Sequence, residues 1–168
     1  MAGVRIVTDS SCDLTAEEVA KHGIEVVPLT IRFGDEEFED GTELPIEAFY
    51  DKLATSPHFP ETAAPAPGKF EAAFRRHQAA GADAVVCINL SAGLSATMQS
   101  AQNAARSMEG ELDVRVIDSR SITSGLGTQL VLGIGAGVFL LVWWARHWRN
   151  TRRNARLVAA HAHPATGP

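Results

Sequence analysis

Residues 84–88, Ala84-Val85-Val86-Cys87-Ile88, are apolar without the alternation of a half-exposed strand. A strand of this kind has no face to offer water, so it belongs at the centre of a parallel sheet covered on both sides. The rest of the pattern agrees. Val4-Arg5-Ile6-Val7-Thr8 alternates and is β-branched, which predicts a strand ending at Asp9. Thr15 and Glu18 have the spacing of a capping box, so a helix should run from there to His22, with Gly23 as its left-handed stop. Ile24 to Leu29 predicts a second strand continuing through Ile31 and Phe33, then a turn at Gly34-Asp35 and a short edge strand over Glu36 to Glu39.

Pro45 suits the first turn of a helix through Leu53, whereas Ser56 to Gly68 contains four prolines and predicts an irregular loop. Lys69 to Ala80 has Phe70, Ala73, Phe74 and His77 at helical spacing, and Gly81 should end that helix. Ser95 to Met108 predicts a helix capped by Ser95, and Val114 to Ile117 a strand ending at Asp118. Strands alternating with helices define the fold class: an α/β protein with an open, mostly parallel sheet and helices on both faces. The boundaries drawn from sequence are an α/β lobe over 1–129, an apolar helix over 130–145 and a basic, disordered tail over 146–168.

Charge divides the chain in the same way. The net charge is -5, yet every Asp and Glu lies at or before Asp118, while Arg146, Arg149, Arg152, Arg153 and Arg156 follow the last apolar run. An acidic body argues against a nucleic-acid partner. Cys12 and Cys87 are far apart with no CxxC or Cys/His spacing, which fits a reducing compartment. Met1 leads within a few residues into a strand, so no signal peptide is expected and a cytoplasmic location is.

Ligands of open α/β sheets bind outside the carboxyl ends of the strands. There the sequence places Thr8-Asp9-Ser10-Ser11, the turn Ser91-Ala92-Gly93-Leu94-Ser95-Ala96-Thr97, and Asp118-Ser119-Arg120-Ser121 with Thr123 and Ser124; the proline loop adds Thr62. Hydroxyls and helix-start amides converging on one edge can hold a carboxylate or phosphate. Taken singly, such residues are caps and turn formers; Ser10 or Ser11 could serve only to bridge to Asp13, and Asp9 and Asp118 to orient amides. Three such turns on one edge make a site. The candidate ligand-binding residues are Asp9, Ser10, Ser11, Thr62, Ser91, Gly93, Ser95 and Ser119.

No catalytic constellation accompanies them. His22 and His77 fall in helices and His58 in the proline loop, none with a motif pairing it to a nucleophile. There is no Gly-rich phosphate loop with Lys, and Asp9-Ser10-Ser11-Cys12-Asp13 lacks the two-residue carboxylate spacing of aspartate-nucleophile phosphotransferases. His161 and His163 read as incidental rather than metal-binding, so no metal or cofactor is expected. The alternative from another class is an enzyme acting on a small phosphorylated or carboxylated metabolite.

In order, Val7-Thr8-Asp9-Ser10-Ser11-Cys12-Asp13-Leu14, Ile24-Glu25-Val26-Val27-Pro28-Leu29, Thr62-Ala63-Ala64-Pro65-Ala66-Pro67-Gly68, Leu90 to Thr97 and Val116-Ile117-Asp118-Ser119 to Gly127 resemble the DegV family of fatty-acid-binding proteins. The resemblance runs from about Val4 to Gln129. It implies a two-lobed protein with a long-chain fatty acid in a tunnel between the lobes. It implies that the carboxylate is held by Thr62 and Ser95, with Ser91 adjacent, and presented to a separate kinase subunit that binds ATP. Three residues depart from the family pattern: Ala92 stands where a second serine is common, and Ala96 and Met98 replace a usual Gly and Tyr. The family's second lobe has no counterpart after Gln129, so fatty-acid binding is expected to be impaired.

From Leu130 to Trp144 the chain is apolar on all sides, and no charge occurs between Arg120 and Arg146. About ten large side chains at roughly 1.5–3 kcal/mol each would exceed the ~5–15 kcal/mol stability of a typical domain, so they must be buried in something. Three readings stand: a membrane anchor over 126–145, with a Trp pair and arginines at one end; a slipped reading frame or truncation leaving a remnant without ligand; and a natural core helix.

Overall fold

The computed structural model describes residues 3–133. Its centre is a four-stranded, all-parallel sheet in the order β2-β1-β6-β7, formed by β1 (Val4–Asp9), β2 (Ile24–Val27), β6 (Ala84–Asn89) and β7 (Asp113–Asp118). The run at 84–88 lies within β6, paired on one side with β1 and on the other with β7. Val85 and Cys87 are wholly buried there.

The connections decide which face each helix covers. From β1 the chain passes through α1 (Ala16–His22) to β2 on one side; from β6 it passes through α4 (Thr97–Ser107) to β7 on the other. Right-handed crossovers in opposite directions place α1 and α4 on opposite faces. α3 (Pro67–Ala79) packs beside α4. Phe70, Ala73 and Phe74 of α3 and Ala101, Ala104 and Met108 of the α4 region close over Val7, Val27, Val85 and Cys87. Each large side chain buried there contributes roughly 1.5–3 kcal/mol. α1 starts with the expected capping box between Thr15 and Glu18 and ends at Gly23 with φ +61°. α5 (Ser124–Leu132) follows β7 and approaches the turn after β1 so closely that a Cβ on Gly127 would lie 2.5 Å from the Cys12 carbonyl oxygen.

Residues 28–66 depart from the sequence-based expectation. The strand from Ile24 does not continue through Phe33. It stops at Val27, and after Pro28-Leu29 a new strand, β3 (Thr30–Phe33), belongs to a separate antiparallel sheet with β4 (Glu36–Glu39) and β5 (Pro60–Ala63), in the order β4-β3-β5. Pro28 has no amide hydrogen for a ladder, which separates the two strands. β4 (Glu36–Glu39) is the expected edge strand. The proline-rich stretch is not wholly irregular: β5 (Pro60–Ala63) pairs with β3, with Pro60 at its first residue, where a proline is tolerated. α2 (Ile46–Thr55) starts just after Pro45, and α3 starts at Pro67 rather than Lys69. Ile31, Phe33 and Leu44 form a second, small core, joined by Phe38 and Phe49.

Among the described residues no helix is long and apolar enough to cross a membrane. The expected apolar helix from Leu130 to Trp144, beyond its first residues, and the basic tail over 146–168 lie outside the described residues.

Candidate functional site

Because β1, β6 and β7 are parallel, their carboxyl ends and the three hydroxyl-bearing turns lie at one edge. Direct hydrogen bonds tie the turns together. Ser91 N donates to the Ser121 carbonyl at 2.8 Å, Ser119 N to the Asn89 carbonyl at 3.1 Å, and Thr123 N to the Ser11 carbonyl at 2.9 Å.

Asp9 is the centre of this arrangement. It is wholly buried at the point where the chain leaves β1 in one direction and β6 in the other. Its Oδ1 accepts from Ser11 N at 3.2 Å and Ser11 Oγ at 2.6 Å; its Oδ2 accepts from Asn89 Nδ2 at 3.0 Å and Leu90 N at 2.9 Å. A carboxylate so surrounded braces two turns and has no lone pair directed at a ligand. Asn89 in turn accepts from the Cys87 thiol at 3.3 Å. Burial and the nearby Asp9 charge push that thiol strongly upward, so it stays protonated. The Cys12 thiol is raised as well, chiefly by burial. Neither cysteine has the low-pKa setting of a nucleophile.

Asp118 plays a similar part at the rim. Its Oδ1 accepts from Ala92 N at 3.2 Å and Arg120 N at 2.8 Å, joining the turns after β6 and β7. Among the described residues, the only non-glycine residues with positive φ are Asp13 (52°), Arg120 (52°) and Thr123 (54°), all in these edge turns. Such backbone costs on the order of 1 kcal/mol or more at each residue and persists where surrounding bonds enforce it.

The candidate hydroxyls separate into committed and available ones. Ser11 gives its proton to Asp9. Ser10 Oγ accepts from Leu29 N at 3.0 Å, tying the first turn to the junction of the two sheets rather than to Asp13. Ser119 Oγ accepts from Ser121 N at 3.1 Å and donates to the Ser121 carbonyl at 3.2 Å. These three serines shape the edge, Ser11 and Ser119 with their protons given away and Ser10 with its proton, like that of Ser91, bonded to no acceptor among the described residues. Ser91 Oγ accepts from Gly93 N at 3.3 Å and keeps its proton free of any protein acceptor among the described residues. Ser95 is not the N-cap of α4. That position is Ala96, which makes no side-chain cap bond, and Ser95 instead accepts from Thr97 N at 3.2 Å and shares a 2.9 Å bond with Thr97 Oγ1.

Thr62 stands apart. It is exposed on β5 opposite Ile31, and its side chain makes no hydrogen bond among the described residues. Ile31 is four residues beyond Val27, so extended chain and one inter-strand step keep Thr62 within roughly 20 Å of the carboxyl end of β2. No side-chain bond joins it to Ser91 or Ser95.

Sequence reasoning did not single out four contributors. Asn89 and Thr97 are fully buried polar residues behind the turns. Leu94 and Ile122, 66% and 40% exposed, set apolar side chains on the turns that carry Ser91 and Ser119. The detectable signal was an apolar residue inside each otherwise polar turn, Ser-Ala-Gly-Leu-Ser and Ser-Arg-Ser-Ile-Thr. Among the described residues no group of three or more His, Cys, Asp or Glu could hold a metal ion.

The fold and edge thus define a class: an α/β lobe whose strand ends present free hydroxyl donors beside exposed apolar residues. Residues 3–133 match the family model described as an uncharacterised DegV family, and the chain belongs to the DegV family. A DegV domain-containing protein of Clostridium perfringens is 36% identical over 127 residues, 76% of this chain and 45% of the relative. One from Streptomyces coelicolor is 40% identical over 124 residues, 74% and 43% respectively. Among solved structures, DegV from Bacillus subtilis, described as a fatty acid binding protein, is 29% identical with a TM-score of 0.74, covering 80% of this chain and 47% of that one. A stearic acid-binding protein from Eubacterium ventriosum is 31% identical with a TM-score of 0.71, covering 84% and 47%. The chain spans less than half the length of these relatives.

Proposed function

We propose that this chain is the head-group-holding lobe of a fatty-acid-binding protein. Thr62, Ser91 and Ser95 offer hydroxyl protons to the carboxylate of a long-chain fatty acid, while Leu94 and Ile122 flank the start of its acyl chain. The observation that carries this reading is the pairing of available donors at the strand edge with similarity to structures described as fatty acid binding. Asp9, Ser10, Ser11 and Ser119 position the turns, and Gly93 completes the Ser91–Ser95 turn. The lobe binds and presents its ligand, and the chemistry belongs to a partner, an ATP-binding kinase subunit. Support for this division comes from Asp9, whose lone pairs are occupied, and from two cysteines held as thiols. These features weigh against the alternative of an enzyme acting on a small metabolite. Membrane contact through Leu130 to Trp144 rests on its lack of charge alone.

The 168-residue chain should bind palmitate weakly. Ligand pockets typically bury ~70–90% of a ligand of this size, and each methylene left in water forfeits roughly 0.8 kcal/mol. Half-burying a sixteen-carbon chain forfeits on the order of 6 kcal/mol, against roughly 1.5–3 kcal/mol for each charge-assisted head-group bond. Calorimetry with palmitate tests this. Affinity weaker than micromolar is expected; micromolar or tighter binding would show that this lobe suffices.

A further inference from the structure

We infer that Thr97 makes Ser95 a pure hydrogen-bond donor, and that the site thereby selects acceptor-only head groups, ionised carboxylates, over head groups that must themselves donate. The inference rests on the proposed role of Ser95.

Thr97, the first residue of α4, is wholly buried. Its hydroxyl has one hydrogen-bond partner among the described residues, Ser95 Oγ at 2.9 Å. A buried donor left unpaired is costly, so the Thr97 proton lies on Ser95 Oγ. That oxygen also accepts from Thr97 N at 3.2 Å. A serine hydroxyl has two acceptor lone pairs and one proton. With both lone pairs filled from behind by one residue, Ser95 retains only its proton, and no described side chain or carbonyl accepts it.

Ser91 adds a second donor in the same turn but is not restricted in the same way: its Oγ accepts from Gly93 N on one of its two lone pairs, and its hydroxyl proton is free, so the discrimination rests on Ser95. Of the carboxylates at this edge, Asp9 has its lone pairs filled by four donors, and Asp118 has Oδ1 filled by two amides while its Oδ2, at the rim, stays open. A carboxylate finds two donors here. A primary amide of the same length brings two N–H donors that find no acceptor on Ser95.

NMR titration of the 168-residue chain with octanoate and with octanamide tests the proposal. The chain should prefer octanoate by roughly tenfold. In Thr97→Val, Ser95 regains an open lone pair and loses its enforced orientation. Octanoate affinity should fall roughly fivefold while octanamide stays within about twofold, so the preference collapses. Thr97→Ser should restore it. Should Thr97→Val not fold, Thr97→Ala is read in the same way against Thr97→Ser. An octanoate-to-octanamide ratio unchanged in Thr97→Val or Thr97→Ala, with binding still lost in Ser95→Ala, overturns the role of Thr97 and leaves the site standing. Octanoate binding that is undetectable in the native chain, or untouched by Ser95→Ala, overturns the site and this inference together.

Discussion

The two sheets carry their parts of the proposed site in opposite ways. In the parallel sheet, the turns that hold Ser91, Ser95 and Ser119 are cross-linked to one another and braced by two carboxylates, and most of their polar atoms are already bonded. In the antiparallel sheet, Thr62 is exposed on a four-residue strand, and its hydroxyl is bonded to nothing among the described residues. The sheets are joined at Leu29, whose N donates to Ser10 Oγ and whose carbonyl accepts from Asp40 N at 3.0 Å, and by Lys69 Nζ of α3, which pairs with Glu39 of β4 at 2.7 Å. One half of the proposed head-group site is pre-organised by the core, and the other half is a single residue delivered by a small accessory sheet. Substitutions in the first should therefore change stability and binding together, and in the second binding alone.

The largest effect should come from Asp9→Ala. It leaves Asn89 Nδ2, Leu90 N and the Ser11 donors without their acceptor, and should destabilise the lobe by about 3 kcal/mol or more. Urea denaturation reads this directly; a loss below about 1 kcal/mol would remove Asp9 as the brace.

A smaller effect should appear in the pH dependence of the parallel-sheet region. The Cys87 thiol is raised in the fold from an ordinary value of 9.0, chiefly by burial, and its ionisation is available only to the unfolded chain. The stability this confers is complete below about pH 9 and is lost as pH rises above it. His77 shifts the other way. Burial lowers its pKa from 6.5, and the nearby Glu25 carboxylate, 2.8 Å from Nε2, offsets that only in part. Its contribution is present above pH 6.5 and declines as pH falls below that value. Denaturation midpoints from pH 6 to 10.5 should fall on the alkaline side, and Cys87→Ala should flatten that limb. An alkaline limb unchanged by the substitution would mean that Cys87 is not responsible.

The smallest structural effect belongs to Thr62→Ala. An exposed residue without side-chain bonds should change stability by no more than about 0.5 kcal/mol. A loss above about 1 kcal/mol would show that β5 is held by Thr62 and that the contrast between the sheets is wrong.

The parallel sheet was legible in the sequence because each of its signals is local. The run at 84–88, the Thr15/Glu18 box and Gly23 each state their conformation within a few residues. The accessory sheet was half legible. The Gly34-Asp35 hairpin could be read, but β5 could not, since four prolines outweigh four residues whose strand character comes from pairing with β3, about thirty positions earlier. The position of the hydroxyls could also be read, whereas their availability could not. Whether Ser11, Ser95 or Ser119 keeps a free proton depends on partners such as Thr97 and Asp9, and on hydrogen-bond geometry that residue identity leaves open. Asn89 escaped notice because a single polar residue at the end of an apolar strand resembles any turn opener.

The central claim is that the free hydroxyls of the two sheets converge on one carboxylate. Amide-detected NMR of the 168-residue chain titrated with octanoate tests it most directly. Saturable shifts are expected at Ser91, Gly93, Ser95 and Thr62 with a common affinity. Thr62→Ala and Ser95→Ala should each weaken that affinity roughly tenfold or more while leaving the spectrum that of a folded lobe. Shifts confined to one sheet, or an affinity indifferent to both substitutions, would contradict it.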